Sequence, residues 1–457
     1  AKSEKYLCIK RKHEEEIMTK TKDAFYSQIW KLVLPILIQN LLSSMVSSAD
    51  VIMLSAVDQD SISAVSLASQ YANILFSVFY GLGTGVTMLC AQYYGKKDMK
   101  AINVVQGIAM RFSMVFCTAF ALWAAIFPKQ MMWIFTKNER LIELGADYLR
   151  VISISYFCWG IIEVYLAVLR SIERVAICSA LNIMTFVLNV CLNAVFIFGL
   201  FGAPKLGIVG VALATTLSRA ISLVLCIIVS IRSENVKLVI KPIFDSHPEL
   251  LKDFMTMALP AVGNDMVWSL AFTMYSVILG HMGSDAVAAN SIVSVVRNLA
   301  CVFCYAIGSA SGIVVGQILG EDKIEEGKQA GRTMLRLAIA SGIFGGLIVF
   351  ALVPVAMNYA MISEQALKYL KFMLYVNVPY ITGTAVNTTL IAGVFRAGGD
   401  SKFGFICDTI DMWVYAVPLG FLAAFVLKLP VEAVYFLLCT DEFVKWPWVF
   451  KRFYSYK

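Results

Sequence analysis

Seven ionisable side chains sit inside stretches that are otherwise apolar: Asp50, Glu163, Arg219, Asp265, Arg297, Asp408 and Asp411. A charge in hydrocarbon costs about 2.5–3.5 kcal/mol on insertion scales, so each needs a partner, a wet cavity or a task. Asp50 belongs with Asn189, Asn193 and Thr215. Asn189 and Asn193 are spaced i,i+4 and share a helix face. At about 1.5 Å of rise per residue, all four fall at one depth in the outer half of a membrane. A carboxylate, two amide oxygens and a hydroxyl suit a proton or a hard monovalent cation, with Asp50, Asn189 and Asn193 as ligands if the ion is Na⁺. Plain inter-helical hydrogen bonding is the alternative for the Asn and Thr residues. A second set is Asn264, Asp265, Asp408 and Asp411, the last two spaced i,i+3, in the inner half or near mid-depth. At least one of these acids is expected to face a cavity. Arg297 is placed to neutralise one of them, and Glu163 to pair with Arg219. Asp441, Glu442 and Lys445, at i,i+3 and i,i+4, are expected to pair locally.

These residues must be held by membrane helices. The chain is 59% hydrophobic and 15% charged, against roughly 25% charged for soluble domains. Twelve apolar stretches are each long enough to cross a bilayer: roughly 28–54, 62–90, 102–127, 144–170, 176–200, 208–232, 253–280, 285–319, 328–358, 366–395, 402–427 and 431–450. A helix is the reading for each, because it satisfies its own backbone in lipid. Lys and Arg cluster in 1–27, after helices 2, 6 and 8, and in the tail, whereas 55–61 and 281–284 carry none and 201–207 only Lys205; Lys129, Lys137 and Arg140, after helix 3, are the exception. That bias places both termini in the cytoplasm. The net charge of +7 is then a topology signal, and no nucleic-acid partner is implied.

The chain also repeats itself. A shift of 225 residues takes Leu34-Pro35 to Leu259-Pro260, Gly83 to Gly308, Gln92 to Gln317 and Gly95 to Gly320; a shift of 226 takes Arg170 to Arg396. The expected layout is a cytoplasmic segment at 1–27, a six-helix lobe at 28–232, a linker at 233–252 and a second six-helix lobe at 253–457. Two such halves read as a secondary transporter with its site where they meet. The repeat is not chemically symmetric. Asp265 matches Asn40, and Asp50 matches Tyr275, which suggests a different task for each lobe.

Other motifs read as structural. His13-Glu-Glu-Glu16 is a solvated charged run. Cys301 and Cys304 have no second pair, so they read as small packing residues. Gly81-Leu-Gly-Thr-Gly85 lies in an apolar helix, where glycines allow close packing. No G-x-x-x-x-G-K-[ST] occurs, which argues against ATP as an energy source. Residues 1–27 lack the apolar core of a cleavable signal peptide. Only His13, His247 and His281 are present, none deep in a helix, so a membrane enzyme is disfavoured and no cofactor is expected. Trp30, Tyr71, Phe76, Phe79, Tyr80, Trp268, Tyr275 and Trp413 are candidates to line a pocket for organic cations.

Trp30-Lys-Leu-Val-Leu-Pro35, Ala49-Asp50, Leu169-Arg170-Ser171, Leu188-Asn189-x-x-Leu192-Asn193, Phe196 to Gly207, Phe395 to Asp400 and the closing Asp441-Glu442-Phe-Val-Lys445 resemble the multidrug and toxin extrusion (MATE) transporters. The resemblance runs from about 25 to 455, and the helix 5 motif looks like the NorM-type branch. It implies an all-α membrane protein of 12 transmembrane helices in two pseudo-symmetric lobes around a V-shaped cavity. It also implies antiport, with Na⁺ or H⁺ entering as a bulky organic cation leaves. The family's N-lobe cation site carries onto Asp50, Asn189, Asn193 and Thr215. Two departures stand out. Some relatives have aspartate at the Asn193 position, and NorM-type proteins use acids on helices 7 and 10, whereas 366–395 here has none.

The expectation is therefore a monomeric, multi-pass exporter of small organic cations in a bacterial cytoplasmic membrane. The rivals are a flippase for lipid-linked precursors from the same broad superfamily, an integral-membrane enzyme and a channel. A flippase would favour a strongly cationic cavity, and Arg219 and Arg297 are expected to be balanced by acids.

Overall fold

The computed structural model describes residues 26–27, 29–42, 59–135, 138–233, 247–359 and 362–455. It is helical throughout these residues. The first half contributes α1 (Ile29–Leu42), α2 (Gln59–Gly95), α3 (Met99–Ile126), α4 (Pro128–Phe135), α5 (Glu139–Ser171), α6 (Val175–Phe198) and α7 (Gly207–Arg232). The second contributes α8 (Pro248–Met282), α9 (Ser284–Gly320), α10 (Ile324–Tyr359), α11 (Glu364–Phe395) and α12 (Ser401–Val426). Three short pieces close the chain: α13 (Val431–Leu438), α14 (Asp441–Val444) and α15 (Trp446–Ser455). Among the described residues, nine helices are long and apolar enough to span a membrane. Large side chains such as Trp123, Val187, Ile231 and Val414 lie exposed on the outside, as expected of a surface solvated by lipid.

The 225-residue repeat is legible in the helices: shifted by that amount, the bounds of α2 become those of α9. The repeated polar residues meet across the two halves. A Cβ on Gly95 would lie 2.1 Å from the Gln317 carbonyl oxygen, and one on Gly320 would lie 2.0 Å from that of Gln92. Nothing larger than glycine fits at either place. The Gln92 side chain donates to the Ala397 carbonyl, and that of Gln317 to the Ser171 carbonyl at 3.0 Å. Both acceptors immediately follow a repeated arginine, Arg396 or Arg170. The glycines of the 81–85 stretch do permit close packing. A Cβ on Gly81 would come within 2.5 Å of Val262 Cα, and one on Gly85 within 2.7 Å of Ala258 Cα, so α2 lies directly on α8.

Two features differ from the sequence expectation. The stretch at 431–450, read as one helix, is broken twice. Thr440 Oγ1 donates to the Leu437 carbonyl at 2.6 Å, and Pro447 starts α15, where a missing N–H costs nothing. The connection after α3, outside the twelve apolar stretches, contains α4, with Trp133 and Ile134 more than 70% exposed. Such amphipathic pieces suit a membrane surface. α11 and α12 also contain π-helical runs, Thr388–Phe395 just before Arg396 and Ile410–Ala416 around Asp411. Extra residues in a turn re-aim the side chains that follow.

Candidate functional site

α6 and α7 pack side by side in the first half and bring three of the predicted residues together. Asn189 Nδ2 donates to Thr215 Oγ1 at 3.1 Å, and Asn193 Nδ2 donates to Asn189 Oδ1 at 3.2 Å. Asn189 and Asn193 are buried, and Thr215 is half-buried. The amide oxygen of Asn189 retains a second lone pair, and the Thr215 hydroxyl can accept as well as donate. The donor set is therefore suited to a hard cation or to hydrogen bonds with a carboxyl group. Asp50, the acid expected to complete it, lies outside the described residues.

Glu163 does not meet Arg219 directly. Its partner is Arg170, at 4.0 Å, and Trp159 Nε1 donates to Glu163 Oε1 at 3.2 Å. Arg219 sits over the ring of that same Trp159, 4.2 Å from its centre, and donates to Ser155 Oγ at 2.9 Å. The indole thus stands between the two charges. Glu163 and Arg170 are seven residues apart on α5, close to the same face, so the closer pairing is the local one.

The second half holds a longer network. Arg396 clamps Asp265 with Nη2–Oδ1 at 2.8 Å and Nη1–Oδ2 at 3.3 Å, a fork-on-carboxylate contact. Nη2 also donates to Asn264 Oδ1 at 2.7 Å. Nη1 reaches across to Thr84 Oγ1 on α2 at 2.8 Å, so this arginine touches both lobes. Asn264 Nδ2 then donates to Asp408 Oδ2 at 2.7 Å. The other oxygen of Asp408 accepts from Lys445 Nζ at 3.0 Å. Lys445 also lies 3.4 Å from Glu442 and 3.6 Å from Asp411. Glu442 is held by Asn387 and Thr384 of α11, and Asp441 accepts from Tyr275 at 3.0 Å. Five carboxyl groups (Asp265, Asp408, Asp411, Asp441 and Glu442) share two cations. Asp411 is fully buried, and neither of its oxygens has a hydrogen-bond partner.

This network corrects several expectations. Asp408 and Asp411 are buried in an ion cluster, which leaves Asp265, at 15% exposure, as the least enclosed of the three acids of which at least one is expected to face a cavity. Arg297 neutralises none of them. Its guanidinium lies over the rings of Phe272 and Tyr380, 5.1 and 5.9 Å from their centres, and among the described residues no carboxylate lies within 4.0 Å of it. Arg219 likewise has no carboxylate within that range among the described residues, so the acids do not balance these two arginines pairwise. The Asp441–Glu442–Lys445 trio does pair locally between Glu442 and Lys445, but its lysine also ties α12 to the helix end. Arg396 falls one residue past the apolar stretch 366–395, so it does not stand out as a charge in hydrocarbon; its repeat with Arg170 is the signal that marks it. Of the aromatic candidates, Trp268 lines a pocket. Tyr71 and Tyr275 are buried with hydrogen-bonded hydroxyls, and Phe79 is buried. Phe76 and Tyr80 are half-exposed.

A helical membrane protein of two repeated halves, with buried polar clusters in each, has the build of a secondary transporter. The chain belongs to the MatE family, the multidrug and toxin extrusion transporters: the family model matches residues 35–195 and again 260–422. The two matches begin at Pro35 and Pro260, one repeat apart. Over 432 residues the chain is 25% identical to the uncharacterized transporter YisQ of Bacillus subtilis, covering 93% of this chain and 94% of that one. It is 25% identical over 402 residues to the probable multidrug resistance protein NorM of Thermotoga maritima, covering 86% and 84%. A crystal structure of MATE in complex with MaL6 superposes with a TM-score of 0.84 at 20% identity, covering 94% of this chain and 96% of that one.

Proposed function

We propose that this transporter exports bulky organic compounds carrying a positive charge and takes up Na⁺ or H⁺ in exchange. The observation that carries this reading is the Asn193–Asn189–Thr215 chain of hydrogen bonds, which gathers the oxygen donors of the predicted coupling site between α6 and α7. Asp50 supplies the charge of that site. Ion or proton arrival there alters α1 and weakens substrate binding, and the two lobes rock to exchange access. Both termini face the cytoplasm of a bacterial cell, following the Lys and Arg bias. The multidrug resistance names of relatives such as the Thermotoga maritima NorM protein support efflux as the direction.

The flippase reading gains one observation, the lack of carboxylates beside Arg219 and Arg297 among the described residues. The surplus of buried acids in the second lobe weighs against a strongly cationic cavity. Efflux of a fluorescent organic cation from proteoliposomes, under a Na⁺ gradient and a pH gradient imposed separately, decides between them. Uphill efflux driven by one gradient, and lost in Asp50→Asn, is the expected result. A folded Asp50→Asn protein that exports at the wild-type rate would sink the coupling assignment. No movement of the dye under either gradient, with transport of a lipid-linked pyrophosphate instead, would favour the flippase.

A further inference from the structure

The 28 residues of α3 span about 42 Å at 1.5 Å per residue, enough to bring the Ile126 end out at headgroup level. There the chain turns into α4 and then α5. Trp123 near the end of α3, and Trp133 and Ile134 of α4, are exposed, as interfacial anchors are. α4 is seated on α5 by the buried Met132, since a Cβ on Gly145 would lie 2.3 Å from its Cε. Beside that contact runs a groove of about 520 Å³, lined by Lys129, Gln130, Trp133, Glu139, Ile142 and Glu143. Its size is that of sites for small organic ligands, about 300–1,000 Å³. Lys129 and Trp133 are i,i+4 on α4, and Glu139 and Glu143 are i,i+4 on α5, so each pair shares a helix face. One wall thus offers an ammonium and an indole, the other two carboxylates, and Ile142, 8% exposed, forms an apolar floor. Among the described residues, no ion pair joins Lys129 to either glutamate, and none of the three side chains is engaged elsewhere.

From this geometry we infer that the groove seats the headgroup of a membrane phospholipid bearing a primary amine, of the phosphatidylethanolamine kind. The charges are complementary: Lys129 meets the phosphate, and Glu139 and Glu143 meet the ammonium. Side chains spaced i,i+4 have Cβ atoms about 5–6 Å apart, and an ammonium with three donors can reach both carboxylates. A choline headgroup has no N–H to give them. A glycerol headgroup has no cation, and would bring its phosphate up to two carboxylates with only Lys129 to offset them. Trp133 and Ile142 are left for the glycerol backbone and the first acyl carbons, an apolar body below a polar tip. A surface groove with charges alone would be filled by water; the apolar floor and the exposed indole beside the bilayer are what favour a lipid. A lipid held here braces α4 against α5 where no direct ion pair does so. The inference does not depend on the cargo or on the coupling ion.

The test titrates the purified, full-length protein in detergent with dioctanoyl phosphatidylethanolamine, phosphatidylcholine and phosphatidylglycerol, and reads bound lipid by native mass spectrometry. The three share phosphate and tails and differ only at the end of the headgroup. Wild type is expected to bind the ethanolamine lipid about fivefold more tightly than either of the others, the order of two exposed ion pairs. Glu139→Gln combined with Glu143→Gln should bring the ethanolamine and choline lipids within twofold of each other. Lys129→Gln should weaken both by about threefold and leave their ratio in place. All three side chains are exposed, so the melting temperature should not move. Should the double variant fail to fold, the wild-type ranking decides. Equal binding of the three lipids by wild type overturns the inference, as does tighter binding of the choline lipid through the face of Trp133. A preference for ethanolamine that survives in the folded double variant also overturns it. Glycerophosphoethanolamine, the same headgroup without tails, should bind at least about tenfold more weakly than the lipid. Equal affinity for the two would make the occupant a soluble phosphoamine and would overturn the lipid assignment.

Discussion

At the scale of single residues, Lys445 shows how buried charge is managed in this protein. Its ammonium is 2% exposed and has Asp408, Asp411 and Glu442 within 4 Å. Removing one member of a buried charge cluster strands the rest, at a cost of about 3–5 kcal/mol. Lys445→Met is therefore expected to lower the apparent melting temperature of the protein in detergent substantially. Pairing it with Asp408→Asn should cost less than the two single changes together, because the second removes a charge that the first leaves unpaired. Strict additivity in that cycle would mean the 3.0 Å contact contributes little. The sequence flagged Asp408, Asp411 and Lys445 as charges in apolar stretches, and the i,i+3 spacing predicted the Glu442–Lys445 contact. It did not show that Lys445 would meet residues on α12, because such contacts depend on how separate helices lie together. The same limit applies to Asp265, whose partner Arg396 is 131 residues away in the chain.

Helix contacts explain the glycines. α2 and α8 approach so closely at Gly81 that even a methyl group would collide with the backbone of Val262. Backbone cannot rotate aside as a side chain can, so overpacking of this kind costs about 1–3 kcal/mol. Gly81→Ala is expected to lower the melting temperature and to reduce transport. Gly280→Ala in α8, where a Cβ meets nothing within 4 Å, should be neutral or slightly stabilising, since alanine is the better helix former. Equal effects of the two substitutions would show that the close approach is absent in solution. Most helices were legible from apolar length: the stretch at 402–427 became Ser401–Val426, and 366–395 became Glu364–Phe395. The breaks after α13 and α14 were not, because hydropathy averages over Thr440, Lys445 and Pro447. α4 escaped notice for the opposite reason, being too short to register as a span.

Across the whole molecule, the repeat places like residues in like positions and then changes their chemistry. A shift of 226 takes Arg219 to Lys445, and Asn182 and Thr185 to Asp408 and Asp411. Each lobe thus keeps a cation at the corresponding position, half-buried as Arg219 in α7 and buried as Lys445 between α14 and α15, but only the second lobe surrounds it with acids. The join between the lobes follows the repeat as well, through Gln92 with Gly320 and Gln317 with Gly95. Thr84–Arg396 adds a direct link from α2 to the acid network. A transporter that alternates access must open this seam once per cycle. Ala91 and Gly316 face each other there, a Cβ on Gly316 lying 3.1 Å from that of Ala91, close to the separation of about 3.5–4.5 Å that a disulfide spans. In a background freed of the native cysteines, Ala91→Cys together with Gly316→Cys should cross-link under mild oxidation. Transport should stop when the bond forms and return on reduction, while each single cysteine variant stays active. Full transport by the cross-linked protein would mean that α2 and α9 stay together throughout the cycle and that the lobes exchange access by some motion that spares this seam.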